Sequence, residues 1–139
     1  MKKPERFFDT NVLLYLLSKD QAKAQRAEAE LAAGGVISVQ VLNEFAAVAR
    51  RKAGLSYAEI REVAATVRAV CRVEDLTLSI HDIALHLAEQ ARLAVYDALI
   101  VASALSAGCR ELVTEALQHG QRFGEGLVVR NPFVPGWPA

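Results

Sequence analysis

Three carboxylates stand where this amino-acid sequence would be expected to carry hydrophobic residues. Asp9 interrupts the apolar run "FFDTNVLLYLL", residues 7–17, with Thr10 and Asn11 beside it. Glu44 lies in "SVQVLNEFAAVARR", where helical spacing places it on one face with Val41, Ala47 and Val48. Asp97 heads "VYDALIVASALSAG", and its stripe continues through Ile100, Val101, Ala104 and Leu105. Burying an unpaired charge is costly, and the group neutralises unless it finds a partner. Each acid has an ordinary explanation when taken alone. Asp9 suits a helix N-cap, Asp97 suits the positive end of a helix dipole, and Glu44 could reach along its helix toward Arg50 or Arg51. Taken together they carry a chemical meaning. Two like charges about 4 Å apart repel by about 4 kcal/mol at an effective dielectric of about 20. Converging acids therefore require a cation among them or raised pKa values. Oxygen donors without His or Cys suit Mg²⁺ or Mn²⁺.

The elements that must position these acids alternate between strand and helix. Arg6–Asp9 reads as a short strand ending on the first acid, followed by a short helix over Val12–Leu17. Asp20 caps a longer helix to about Ala33, which "GG" at 34 and 35 terminates. Residues 36–38 form a β-branched strand, and helical periodicity resumes from Val39 to about Lys52. Ser56 with Glu59 is a capping box opening a helix to about Cys71. "RVEDL" is a third strand, Ser79 with Asp82 caps a helix over Ile80–Arg92, and a fifth helix runs from Tyr96 to Ala107. Residues 111–114 and 126–130 are the last strands, and "NPFVPGWPA" reads as an extended, Pro-rich end. Such alternation predicts an α/β fold, with a central parallel sheet and helices on its faces. Asp9 then stands at the C-terminal end of the first strand, the edge where ligand sites gather in open parallel sheets.

Composition narrows the classes. The 139 residues suffice for one domain with a substantial core, and the formal net charge is zero, so any site for a polyanion must be local. Cys71 and Cys109 lack metal-ligand spacing and read as buried hydrophobes in a reducing compartment. No signal peptide or apolar run of about 20 residues is visible, so a soluble cytoplasmic protein is expected.

The stretches "FFDTNVLLYLL", "SVQVLNEF" and "YDALIVASALSAGC", followed by "LVTEALQHGQ", resemble the PIN domain family, specifically the VapC-type toxins of bacterial toxin–antitoxin pairs. The resemblance covers nearly the whole chain, as a single nuclease domain with an α/β/α architecture. It implies a metal-dependent endoribonuclease whose catalytic and metal-binding acids are Asp9, Glu44 and Asp97, with Asn11, Thr114 and Glu115 in support. It also implies Mg²⁺ or Mn²⁺, an RNA substrate, an antitoxin partner and a homodimer. One position departs from the pattern: Ala116 in "TEALQ" stands where a fourth acid is expected. Adjacent side chains on a helix point about 100° apart, so Glu115 need not replace it. Either the chain works with three acids or it is a deliberately inactivated variant; a non-catalytic member, whose degraded site still binds RNA or an antitoxin, is a further class that Ala116 favours. A phosphohydrolase using Asp9 as nucleophile would need a second Asp two residues on, and Asn11 is there instead. His81, His86 and His119 read as solvated surface, as do Arg50, Arg51, Arg122 and Arg130.

Overall fold

In the computed structural model, which describes residues 5–134, the strands gather into one six-stranded sheet flanked by helices. The strands are β1 (Arg6–Phe8), β2 (Gly35–Ser38), β3 (Cys71–Glu74), β4 (Glu111–Val113), β5 (Arg122–Phe123) and β6 (Leu127–Arg130). Their order across the sheet is β3-β2-β1-β4-β6-β5. All pairings are parallel except that of β5 with β6. The helices are α1 (Thr10–Leu14), α2 (Gln21–Ala32), α3 (Val39–Ala53), α4 (Tyr57–Val70), α5 (Leu78–Ala91) and α6 (Val95–Ser106), with a 3-10 turn at Tyr15–Leu17. The chain builds outward from β1 through β2 to β3, then returns to place β4 on the other side of β1. The direction of winding thus reverses between β1 and β4, which is where crevices open in sheets of this kind.

Phe7, Phe8, Val36, Ile37, Leu112 and Val113 are buried at consecutive strand positions, as expected for a parallel sheet covered on both faces. Helix α6 buries Ala98 and every residue from Ile100 to Ala104, so it is interior on nearly all sides. Helix α5 covers it, packing Ile80 and Ala84 against Ala98 and Ala102. The two glycines after α2 do different jobs. Gly34 takes φ +86°, a left-handed conformation that ends the helix. Gly35 lets β2 lie against β1, because a Cβ there would come within 2.5 Å of the Phe8 ring and 2.6 Å of the Arg6 carbonyl.

Several expected boundaries differ. The first strand stops at Phe8, and Asp9 is the N-cap of α1. The single helix expected over Val12–Leu17 is α1 followed by a 3-10 turn. The third strand is Cys71–Glu74, shifted toward the N-terminus. Helix α5 is capped by Thr77, whose hydroxyl accepts from the Ile80 amide at 3.2 Å, and not by Ser79. The short antiparallel strand β5 was not expected. Of the Pro-rich end, residues 135–139 lie outside the described residues. Cys71 and Cys109 are free and buried, and burial pushes their thiols up to about 11 and about 12. Among the described residues no helix is long and apolar enough to cross a membrane.

Candidate functional site

Asp9 follows β1 directly and its side chain is buried, only 6% exposed. Its amide donates to the Val113 carbonyl at 3.0 Å, which fixes it beside the end of β4. One carboxylate oxygen, Oδ1, accepts from the Thr10 amide at 2.7 Å. The other, Oδ2, accepts from the Thr114 hydroxyl at 2.8 Å. Burial raises this carboxyl from 3.8 to about 6, although both hydrogen bonds favour the charged form; the charges of Glu44 and Asp97 push the same way as burial. The Thr114 hydroxyl also accepts from Asn11 Nδ2 at 3.0 Å and from the Ala116 amide at 2.9 Å. With one donor and two acceptor sites all engaged, that hydroxyl has a single orientation.

Glu44 reaches the same neighbourhood from α3, which begins where β2 ends. Its Oε1 accepts from the Thr10 hydroxyl at 2.6 Å. Thr10 therefore touches both acids, its amide on Asp9 and its hydroxyl on Glu44. Glu44 Oε2 accepts from Gln40 Nε2 at 3.3 Å, and the same nitrogen donates to the Tyr96 carbonyl at 3.2 Å. Tyr96 immediately precedes Asp97 in the first turn of α6. The Asp97 carboxyl is raised by burial and then by the charge on Glu44. Hydrogen bonds thus link Asp9 through Thr10 to Glu44, and Glu44 through Gln40 to the turn that bears Asp97, while the charges of the three acids act on one another. The stripe expected beneath Glu44 needs correction. The buried face of α3 is Gln40, Val41, Phe45 and Ala49; Ala47 is exposed, and Glu44 sits half-buried at the boundary.

The supporting residues divide. Asn11 and Thr114 brace Asp9 as described. Glu115 contributes its amide, which donates to Asn11 Oδ1 at 3.3 Å, while its carboxylate turns away to accept from the Tyr15 hydroxyl. Ala116 is exposed, and its backbone hangs from the Thr114 hydroxyl that holds Asp9. The backbone at position 116 is thus one hydroxyl removed from the Asp9 carboxylate. Sequence reasoning missed Gln40. The available signal was a polar residue one helical turn before Glu44. The histidines stay outside the cluster: His81 and His86 are exposed on α5, and His119 accepts from the Asn131 amide through Nδ1 at 3.0 Å. Arg50 bonds the Leu55 carbonyl and stacks on Tyr57, Arg130 lies 3.9 Å from Glu111, and Arg51 and Arg122 are exposed.

Among the described residues, the ion pairs join Arg6 to Glu30, Arg72 to Glu5 and Glu74, and Arg130 to Glu111; none involves Asp9, Glu44 or Asp97. Nor do any three Asp, Glu, His or Cys side chains among them enclose a metal-sized space as they stand. The donor set is hard oxygen only, and its central carboxylate is buried without a positive partner. Those properties fit a divalent ion of the Mg²⁺ or Mn²⁺ kind.

Fold and site together define an α/β domain with an acidic centre at the C-terminal edge of a mostly parallel sheet. The PIN domain family profile matches residues 6–115, and the chain belongs to that family. PIN domain nucleases generally use divalent metal ions. Three solved structures share the fold. A toxin–antitoxin complex from Klebsiella pneumoniae is 24% identical with a TM-score of 0.62, covering 79% of this chain and 85% of that one. VapC20 of Mycobacterium tuberculosis, a sarcin–ricin loop cleaving toxin, is 21% identical with a TM-score of 0.65, covering 78% and 87%. VapBC2 of Rickettsia felis, bound to a DNA fragment from its promoter, is 20% identical with a TM-score of 0.57, covering 78% and 85%. Comparison with curated proteins gives no significant match.

Proposed function

We propose that the chain is a divalent-metal-dependent endoribonuclease, the toxin of a type II toxin–antitoxin pair. The observation that carries this reading is the hydrogen-bonded line from Asp9 through Thr10 to Glu44, and through Gln40 to the turn bearing Asp97. Asp9 and Asp97 would hold Mg²⁺ or Mn²⁺, with Glu44 bound directly or through water. Such an ion, when bound, supplies positive charge for a phosphodiester oxygen and acidifies a water. The chain's own residues do the remaining work. Thr114 and the Thr10 amide aim the two Asp9 oxygens, and the Thr10 hydroxyl aims Glu44. One of the three carboxylates would orient the attacking water or take its proton. RNA would be selected by shape and by unpaired loops, as is usual for RNA recognition.

The partner reading has two supports besides the toxin–antitoxin neighbours. An open apolar groove of about 340 Å³, lined by Leu16, Leu17, Leu31, Val63, Val67 and Val70, suits an apolar segment of an antitoxin. Leu76, just before α5, Leu78, Ile83 and Leu85 on α5, and Val95 and Tyr96 at the start of α6 are exposed, and this apolar surface favours a homodimer. A cytoplasmic location accords with the two free thiols.

A second reading keeps the fold and loses the chemistry: a PIN module that binds RNA or an antitoxin without cutting. Ala116 favours it. The deciding experiment incubates the chain and its Ala116→Asp variant with a structured RNA in Mg²⁺, Mn²⁺ or EDTA. Cleavage that EDTA stops and Asp9→Asn abolishes is the expected result. Bound but uncut RNA with both proteins would establish the second reading instead.

A further inference from the structure

Helices α3 and α6 are far apart in sequence, and each brings one acid to the site. Something must set the spacing between those acids. Gln40 is 4% exposed and spends both hydrogens of one amide nitrogen there, on Glu44 Oε2 at 3.3 Å and on the Tyr96 carbonyl at 3.2 Å. The reversed amide would set an oxygen against two other acceptors, so its orientation is determined by its partners. That orientation leaves Gln40 Oε1 buried with no hydrogen-bond partner among the described residues. Unpartnered buried acceptors are uncommon and call for a reason beyond packing. A tie between two helices could be made with an apolar side chain and would orphan nothing. What an apolar side chain cannot do is grip a carboxylate oxygen. Thr10 already grips Glu44 Oε1 from the β1 side. With Gln40 on Oε2, the carboxylate is held at both ends and cannot pivot.

We propose that Gln40 is a positioning residue of the acidic centre: its amide locks the Glu44 carboxylate to the α6 turn that presents Asp97, and so sets the separation of acids carried by two different helices. The proposal rests on the metal-nuclease reading for its consequence, and on the hydrogen-bond geometry for its substance. Supporting groups of this kind typically govern metal affinity by about 10- to 100-fold.

The test uses the full chain with Gln40→Met, which keeps length and removes the donor, and Gln40→Glu, which keeps shape and replaces the donor by an acceptor. Mn²⁺ affinity is read from the signal of free Mn²⁺ in electron paramagnetic resonance, alongside metal-free thermal unfolding and the ¹³C carboxyl resonance of Glu44. Q40M should unfold within about 3 °C of the original chain yet bind Mn²⁺ about 10- to 100-fold more weakly, and Q40E should bind at least as weakly. Affinity within threefold of the original in Q40M overturns the proposal. Should both variants fail to fold, the unsubstituted chain decides: Mg²⁺ binding should move the side-chain amide resonances of Gln40, and unmoved resonances refute the role. If the original chain binds no divalent ion, the metal-nuclease reading falls. Gln40 is then judged by the metal-free carboxyl resonance of Glu44, which must move in Q40M, or, where the variants do not fold, by solvent exchange of the Gln40 side-chain amide hydrogens in the original chain, which must be slow; an unmoved resonance or fast exchange refutes it.

Discussion

Replacing Asp9 by Asn should stabilise the metal-free protein at pH 8 and weaken it below pH 4. Burial lifts the Asp9 carboxyl from 3.8 to about 6, so the folded chain holds that proton more tightly than the unfolded chain does. The difference corresponds to about 3 kcal/mol at about 1.36 kcal/mol per pH unit. Because the folded value is the higher one, this stability is fully present below 3.8 and is lost as pH rises through about 6. At pH 8 the chain therefore carries a buried, ionised and unneutralised Asp9. Asn removes that burden but sets its amide hydrogens against the Thr114 hydroxyl, whose two lone pairs already serve Asn11 and Ala116. That mismatch costs about 1 kcal/mol. The net expectation is a gain of about 2 kcal/mol at pH 8 and a loss of about 1 kcal/mol at pH 3.5. For a chain of this length these convert to a Tm about 6 °C higher and about 3 °C lower, respectively. The assay is thermal unfolding by circular dichroism in EDTA at pH 3.5, 6 and 8, repeated at pH 8 with Mn²⁺. Added Mn²⁺ should raise the Tm of the original chain and leave Asp9→Asn unmoved. A change in Tm of the same sign and size at all three pH values would refute the argument, since it would mean that Asp9 does not titrate between them.

Ala116→Asp should raise divalent affinity and RNA cleavage by about 10- to 100-fold, while lowering the metal-free Tm through added repulsion; equal rates and equal Mg²⁺ responses would place position 116 outside the site. Glu115→Gln, by contrast, should leave Mn²⁺ affinity within about threefold, since its carboxylate is engaged by Tyr15 and only its amide faces the site; calorimetric titration checks this. Gly35→Ala should cost about 2 kcal/mol or more in urea unfolding, because its new methyl would meet the Phe8 ring at 2.5 Å and the Arg6 carbonyl at 2.6 Å. The double change Leu78→Asp with Leu85→Asp, at exposed positions two turns apart on α5, should convert a dimer to monomer in analytical ultracentrifugation without lowering Tm by more than a few degrees.

Asp9, Glu44 and Asp97 stand out from the residues alone, Asn11 and Thr114 enter only through the family resemblance, and Gln40 enters through neither; the difference follows from where each residue finds its partner. Asp9, Glu44 and Asp97 contradict their own local surroundings, and a charge on an apolar stripe can be seen without knowing the fold. The alternation of strand and helix was legible for the same reason, because each element's pattern is internal to it. Errors arose where two local choices were equally good. Thr77 and Ser79 are both competent caps, and the choice was made by packing, which buries Ile80 and leaves Leu78 exposed. On α3 the face was misplaced because Phe45, the bulkiest residue there, sets the centre of the contact; Glu44, one residue earlier, falls at its edge. Strand β5, two residues long, has no pattern of its own and exists only because β6 lies beside it. Gln40 was invisible because a glutamine on a helix is unremarkable until its partner, 56 positions away, is known. Thr114, expected from the family resemblance, gains its physical reason from the register of the sheet. Phe8 pairs with Val113, so the next residue of each strand, Asp9 and Thr114, must stand side by side. A buried carboxylate announces itself in a sequence, whereas the neutral donors that aim it are defined by neighbours the fold supplies.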